Sequence, residues 1–204
     1  MGNGMFILLI ILATFAATYR GLKQFDFQNR YLFRVDDILR GREYYRMISS
    51  GFLHNNWFHF AMNMFVLWHF AQVPGTGISW LTELLVLYFG SIIAGSALSL
   101  YVHRWHGDYS AVGASGGTSG LVLAYTVIFP LADMRLLFIP IDIPLWLLGV
   151  AFIVYTISGI RNQAGNIGHE AHLGGAVFGM LVSCAFHPLI ALANWWIVLL
   201  VMTP

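Results

Sequence analysis

Long apolar runs alternate with short polar breaks along the whole chain. The runs fall at residues 5–19, 54–72, 79–102, 115–131, 144–158 and 169–186. Each predicts a membrane-spanning helix, because roughly 20 apolar residues cross a hydrocarbon core. A last run, 189–202, is short for a span. It reads equally as a seventh helix or as one lying at the interface. The breaks carry turn chemistry. Val73 to Gly77 is a tight Pro/Gly turn, and Pro140, Asp142 and Pro144 interrupt the next run, with Pro144 suited to a first helical position. Residues 159–168 hold three glycines and read as a mobile loop. Residues 1–4 lack lysine and arginine, so the first run reads as a span rather than a signal peptide. The pattern predicts an all-α, polytopic membrane helical bundle, with residues 1–204 forming one domain.

One long polar connection, residues 20–51, breaks this rhythm. It holds seven of the ten Lys and Arg residues: Arg20, Lys23, Arg30, Arg34, Arg40, Arg42 and Arg46. Phe25, Phe27, Tyr31, Phe33, Tyr44 and Tyr45 are interleaved with them. Such rings favour the membrane interface, so a structured interfacial loop is expected, with a solvated basic loop as the alternative. Composition supports the bilayer assignment. Hydrophobic residues make up 58% and charged residues 9%, against about 25% charged in soluble domains. Mean hydropathy is +0.72. A net charge of +1 argues against nucleic-acid binding. Cys184 is the only cysteine, which excludes an intrachain disulfide and a cysteine-based metal site. No cofactor or metal is expected.

Candidate chemistry collects at helix starts. Gly113-Ala114-Ser115-Gly116-Gly117-Thr118-Ser119-Gly120 opens the fourth run. A serine at a helix start has unpaired backbone N–H groups and a positive dipole end beside it, which suits a nucleophile whose attack creates an oxyanion. A small-residue packing face is the plainer reading of the stretch alone. In the second run, His59 and Asn63 stand four apart and share a helix face. His69, nearer the other end, reads as an interhelical hydrogen-bonding group. Glu83 is explained by the helix dipole or by headgroup contact. The third run carries Gly90, Ser91, Ala94, Gly95, Ser96 and Ser99, a close-packing face. In the sixth run, His172, Gly175 and Gly179 share a face, and Gly175 with Gly179 forms a close-approach pair. That aims His172 at the most tightly packed neighbour. His169, one turn earlier, reads as an exposed cap or loop residue. Even-numbered spans begin on one membrane side, so Ser115, His59, Asn63 and His172 converge there, which weighs against packing alone.

These residues resemble the rhomboid intramembrane serine proteases. The resemblance runs from about Glu43 to Gly179. It rests on Gly113-Ala114-Ser115-Gly116, on His54, His59 and Asn63 at their spacing, and on Ala171-His172-Leu173-Gly174-Gly175 with Gly179. Glu43-Tyr44-Tyr45-Arg46 is similar to the family's Trp-Arg element, with Tyr45 in place of tryptophan. The resemblance implies a six-span rhomboid-like core and a Ser–His dyad, with Ser115 as nucleophile and His172 as base. It implies an oxyanion hole from the Ser115 N–H, His59 and Asn63, with His54, Gly113, Gly116, Gly175 and Gly179 in support. A third acid would have to be Glu170. The family's aromatic residue four after the nucleophile is replaced by Ser119. Transmembrane proteins are the implied substrates, membrane lipid the surroundings, and a bacterial inner membrane the implied location. Its outward-facing site conflicts with the charge bias, because nine of the ten cations lie on the active-site side and only Arg135 opposes them. Two other classes remain: an inactive rhomboid-like protein that binds membrane clients, and a transporter or channel using His59, Asn63 and His172 as a polar path.

Overall fold

The computed structural model describes residues 2–71, 80–135, 141–162 and 167–202. Each of the six predicted runs contains a helix. The elements, in order, are α1 (Gly2–Lys23), α2 (Phe25–Tyr31), β1 (Phe33–Arg34), α3 (Val35–Leu39), α4 (Arg46–Ser49), α5 (Trp57–Ala71), α6 (Trp80–Val102), β2 (Ser110–Ala111), α7 (Ser115–Ile128), β3 (Asp133–Arg135), β4 (Asp142–Pro144), α8 (Leu145–Asn162), α9 (His169–Phe186) and α10 (Pro188–Met202).

The bundle is built around α6, α7 and α9, the three helices that pack most extensively. Missing side chains let them do so. A Cβ on Gly175 would collide with the backbone of Gly116, and one on Gly179 with the backbone of Gly120. A Cβ on Gly174 would stand 2.7 Å from the Ala94 carbonyl oxygen. Van der Waals contact between bare backbones drives association where lipid removes the hydrophobic difference between neighbours. The partner of the predicted Gly175/Gly179 face is therefore α7. Outside this core, α1 and α8 expose Leu8, Leu9, Leu12, Leu147, Val150 and Val154, the pattern expected of lipid-facing helices.

Three described helices are long and apolar enough to cross a membrane: Gly4–Lys23, Leu81–Val102 and Leu145–Asn162. A fourth candidate is the pair His169–Phe186 and Pro188–Val198, which is bent by 111°. At 14 residues, α7 is shorter than a free span needs. Its side chains are almost all buried, so neighbouring helices rather than lipid surround it. A sharp bend at His187 separates the last run from α9. The side chain of Asn194 on α10 donates to the Ile128 carbonyl at the end of α7, so α10 folds back under the bundle instead of continuing α9.

Several boundaries differ from the sequence expectation. The first helix is longer, running to Lys23. The second starts at Trp57, because the Asn56 side chain accepts the His59 N–H at 2.8 Å and caps it there, leaving His54 outside. The fourth ends at Ile128. Pro144 lies in β4, paired with Asp133, and not at a first helical position. Gly159 to Asn162 are the last turn of α8 and not a loop. A Cβ on Gly159 would overlap the His169 ring, so this glycine serves close approach and not mobility. Residues 163–166 of that expected loop, and the expected turn at 73–77, lie outside the described residues. Glu83 does lie in the first turn of α6, where the helix dipole favours a carboxylate, but it is too buried to meet headgroups. It is 1% exposed, and its carboxylate lies 2.7 Å from His187 Nε2. His69 is exposed, with its ring stacked on Phe65, and among the described residues it has no bond across to another helix.

The connection between α1 and α5 is structured, and Arg46 is its centre. This side chain is 5% exposed. Its guanidinium donates to the carbonyls of Asn29 at 2.8 Å and Leu32 at 2.9 Å. It also pairs with Glu43 at 2.6 Å and Asp37 at 3.0 Å. Hydrogen bonds from Arg46 and Tyr45 hold the Glu43 carboxyl below its ordinary range. That contribution is present at neutral pH and is lost as pH falls through the lowered value. The connection also reaches the site, since β1 pairs with β2 in the register Phe33↔Ala111 and Arg34↔Ser110, two residues before Gly113. Arg46→Ala should therefore lower the thermal unfolding midpoint in detergent, at a cost on the order of 2–3 kcal/mol, because it removes the one buried guanidinium that ties two carbonyls and two carboxylates together. An unchanged midpoint would mean the loop is held by its apolar contacts alone.

Candidate active site

Ser115 is the first residue of α7 and is half-buried. The first intrahelical bond of α7 runs from the Thr118 N–H to the Ala114 carbonyl at 3.1 Å. The Ser115 and Gly116 N–H groups precede it, as at any helix start. The approach to Ser115 is fixed from two sides. Gly113 N–H donates to the Ser50 carbonyl at 3.0 Å, and Ala114 N–H donates to His54 Nε2 at 3.4 Å. Because that ring nitrogen accepts, the His54 proton sits on Nδ1 and points to Thr18 Oγ1 at 3.0 Å. Thr18 in turn donates to the Phe52 carbonyl at 3.1 Å. His54 is thus a buried tie between α1 and the nucleophile loop. Gly113 has φ +133, and a Cβ there would stand 2.6 Å from the His59 ring. Only glycine fits both conditions.

His59 sits in the first turn of α5, 4.9 Å from His54 between ring centroids. Asn63 follows one turn later, and its amide nitrogen donates to the His59 carbonyl at 2.9 Å. His172 sits in the first turn of α9, with its N–H bonded to the Gly168 carbonyl at 3.2 Å. Its ring nitrogen Nδ1 is buried, with no hydrogen-bond partner among the described residues. Glu170 does not supply one; its carboxylate lies 3.4 Å from His103 Nε2. A Cβ on Gly116 would be 3.2 Å from the Ala171 carbonyl, so the chain next to Ser115 touches the chain next to His172.

Ser115, His172, His59, Asn63, Gly113 and Gly116 all line one cavity of about 1140 Å³. Gly175 and Gly179 lie behind it, in the α7–α9 contact. The cavity follows α5 from Asn55 and Asn56 down to His69 and Phe70, and meets Leu148 and Phe152 of α8. His169 is absent from its walls. This residue is 3% exposed and not an exposed cap, and it packs on α8, 5.1 Å from the Tyr155 ring and against Gly159. Ser119 lines the cavity, where no aromatic ring can come from that position. Phe152 of α8 lies 6.1 Å from the His172 ring instead. Phe152, Thr118 and Thr18 were not legible as site residues in the sequence. Only the position of Thr118, within the first turn after Ser115, was a signal.

Comparisons with known proteins place the chain in a family. A family profile described as Rhomboid domain matches residues 41–189. The chain is 29% identical over 162 residues to Rhomboid protein 1, mitochondrial, of Saccharomyces cerevisiae, covering 78% of this chain and 46% of the yeast protein. It is 28% identical over 148 residues to Presenilin-associated rhomboid-like protein, mitochondrial, of Mus musculus, covering 71% of this chain and 38% of that protein. The human protein of that name matches to the same extent. The chain spans less than half the length of these relatives. They are mitochondrial by name, so the expected bacterial inner-membrane location finds no support. With the Rhomboid domain covering most of its length, this integral multi-pass membrane protein belongs to the rhomboid family.

Proposed function

We propose that the protein is an intramembrane serine endopeptidase that hydrolyses peptide bonds in or near transmembrane segments. The observation that carries this reading is the meeting of Ser115, His172, His59 and Asn63 on one cavity wall, each from the first turns of α7, α9 or α5. His172 takes the Ser115 Oγ proton as Oγ attacks the scissile carbonyl carbon. The resulting oxyanion accepts hydrogen bonds from the Ser115 N–H, the His59 ring and the Asn63 amide. Collapse of this intermediate breaks the C–N bond, and His172 returns the proton to the leaving amine. Water then hydrolyses the acyl-serine with His172 again as base. The unpartnered Nδ1 of His172 supports a dyad, since among the described residues no carboxylate holds the ring. Phe152 takes the place beside the base that Ser119 cannot fill.

The cavity also suits the substrate class. It runs along α5, and α5 and α8 each pack on α7 at its flanks. An extended or locally unwound segment of a substrate helix fits between them, its backbone polar groups meeting the site's donors instead of lipid. The family preference for small, helix-breaking residues near the cut is carried over with the family. The test is fluorophosphonate labelling of the purified chain, run beside cleavage of a transmembrane substrate. Label on Ser115 together with cleavage is the expected result; a client-binding relative without activity takes no label. Asn63→Ala should slow cleavage by about 10²–10³, the usual cost of one oxyanion donor. An unchanged rate would assign Asn63 to packing alone.

A further inference from the structure

One amide in the cavity wall is held in a single orientation by two neighbours. Asn63 is 5% exposed, and its Nδ2 donates to the His59 carbonyl of its own helix at 2.9 Å. Its Oδ1 accepts from Thr118 Oγ1, across on α7, at 3.0 Å. Thr118 is 6% exposed. Both bonds require the same orientation of the amide. Turned over, Asn63 would aim its carbonyl oxygen at the His59 carbonyl oxygen, two acceptors with no proton between them. An amide nitrogen carries two protons, and one is spent on His59. The other remains for the cavity that Asn63 lines with Ser115 and His172.

The Thr118 hydroxyl has one proton to give and two acceptors in reach. Asn63 Oδ1 is at 3.0 Å and the Ser115 carbonyl of its own helix is at 3.3 Å. The bond between helices is the shorter one. Thr118 lies in the same turn of α7 that presents Ser115, so one turn carries the nucleophile and grips the oxyanion donor of the neighbouring helix.

We infer that Thr118 is a positioning residue, whose hydroxyl holds the Asn63 carboxamide with its second N–H aimed at the oxyanion. The inference rests on the serine-protease reading of Ser115. Removing the hydroxyl leaves the donor present but unaimed. An interaction made chiefly in the transition state is then weakened, so kcat falls while KM stays. Valine matches threonine in shape and removes only the hydrogen bond, while serine restores the hydroxyl without the methyl group.

The experiment measures kcat and KM for a transmembrane substrate, with the full chain in lipid vesicles. The variants are Thr118→Val, Thr118→Ser, Asn63→Ala and the Asn63→Ala/Thr118→Val double. Thr118→Val should lower kcat by about 10-fold, part of the 10²–10³ that complete loss of a donor costs, with KM within about twofold. Thr118→Ser should return most of the rate. In the Asn63→Ala background, Thr118→Val should change nothing further, because the group it orients is gone. Two results would overturn the inference: a wild-type kcat in Thr118→Val, or a Thr118→Val loss that multiplies in full on top of Asn63→Ala. If Thr118→Val fails to fold, a Thr118→Ser variant as slow as Asn63→Ala overturns it too, and one near the wild-type rate supports it. Ser115→Ala, run in parallel, separates the two readings. Retained cleavage in that variant defeats the protease reading itself, whereas a dead Ser115→Ala beside a fast Thr118→Val defeats only the role of Thr118. A wild-type chain that neither cleaves nor takes label overturns both.

Discussion

Ser115→Ala should abolish both cleavage of a transmembrane substrate and fluorophosphonate labelling, with the thermal unfolding midpoint unchanged. Loss of a serine nucleophile removes about 10⁶ in kcat in an enzyme of this mechanism, which places the residual rate near background. The fold should not notice. The described contacts of Ser115 run through its backbone, with its carbonyl 3.3 Å from Thr118 Oγ1. The packing around it uses Gly116 and Gly120 against α9. Alanine keeps the helix start and removes one half-buried hydroxyl, a change within a few tenths of a kcal/mol. Cleavage at the wild-type rate by Ser115→Ala would end the serine-protease reading.

His172→Ala should have the same double effect, because without a base the serine stays protonated and attacks neither peptide nor phosphonate. The informative comparison is with His169→Ala. Both histidines lie in the first turn of α9, yet their rings point differently. His172 lines the cavity with Ser115, with Phe152 beside it. His169 is buried beside His172, 6.3 Å away between ring centroids, against Tyr155 and Gly159 of α8 and off the cavity wall. His169→Ala opens a void in that contact, so it should lower the unfolding midpoint at a cost of about 1–3 kcal/mol while most of the labelling per folded molecule remains. His172→Ala should show the converse: a midpoint close to wild type and no label. If His169→Ala loses the label and His172→Ala keeps it, the dyad belongs to the other histidine.

These two variants also separate what was readable in the chain from what was not. The helices around Ser115, His59 and His172 were legible because their signals are local. A bilayer selects apolar runs by length and hydropathy alone, and alternation of spans then brings every second helix start to one side. Gly175 and Gly179 announced a close contact by their spacing, though not that Gly116 and Gly120 would receive it. Asn56 and Gly159 show the limit of local reading. The pattern puts Asn56 inside the second run and Gly159 in a mobile loop, yet one caps α5 and the other makes room for the His169 ring.

The sequence by itself determined that the chain lives in a membrane, that its polar chemistry gathers at three helix starts, and that Ser115 and His172 sit on them. Hydropathy and helical periodicity are sums over neighbouring residues, so they need no knowledge of the fold. Tertiary structure alone decided the rest. It set the grip of Thr118 on Asn63, the tie from His54 to Ala114, the four partners of Arg46, the Glu83–His187 pair and the turn of α10 beneath α7. Apart from the local pairs of Arg46 with Glu43 and Asp37, each joins residues far apart in the chain, and a hydrogen bond tolerates only a few tenths of an ångström. Which side chains meet at that distance depends on the rotation and depth of packed helices, and small-residue contacts set those only once α6, α7 and α9 have closed on one another.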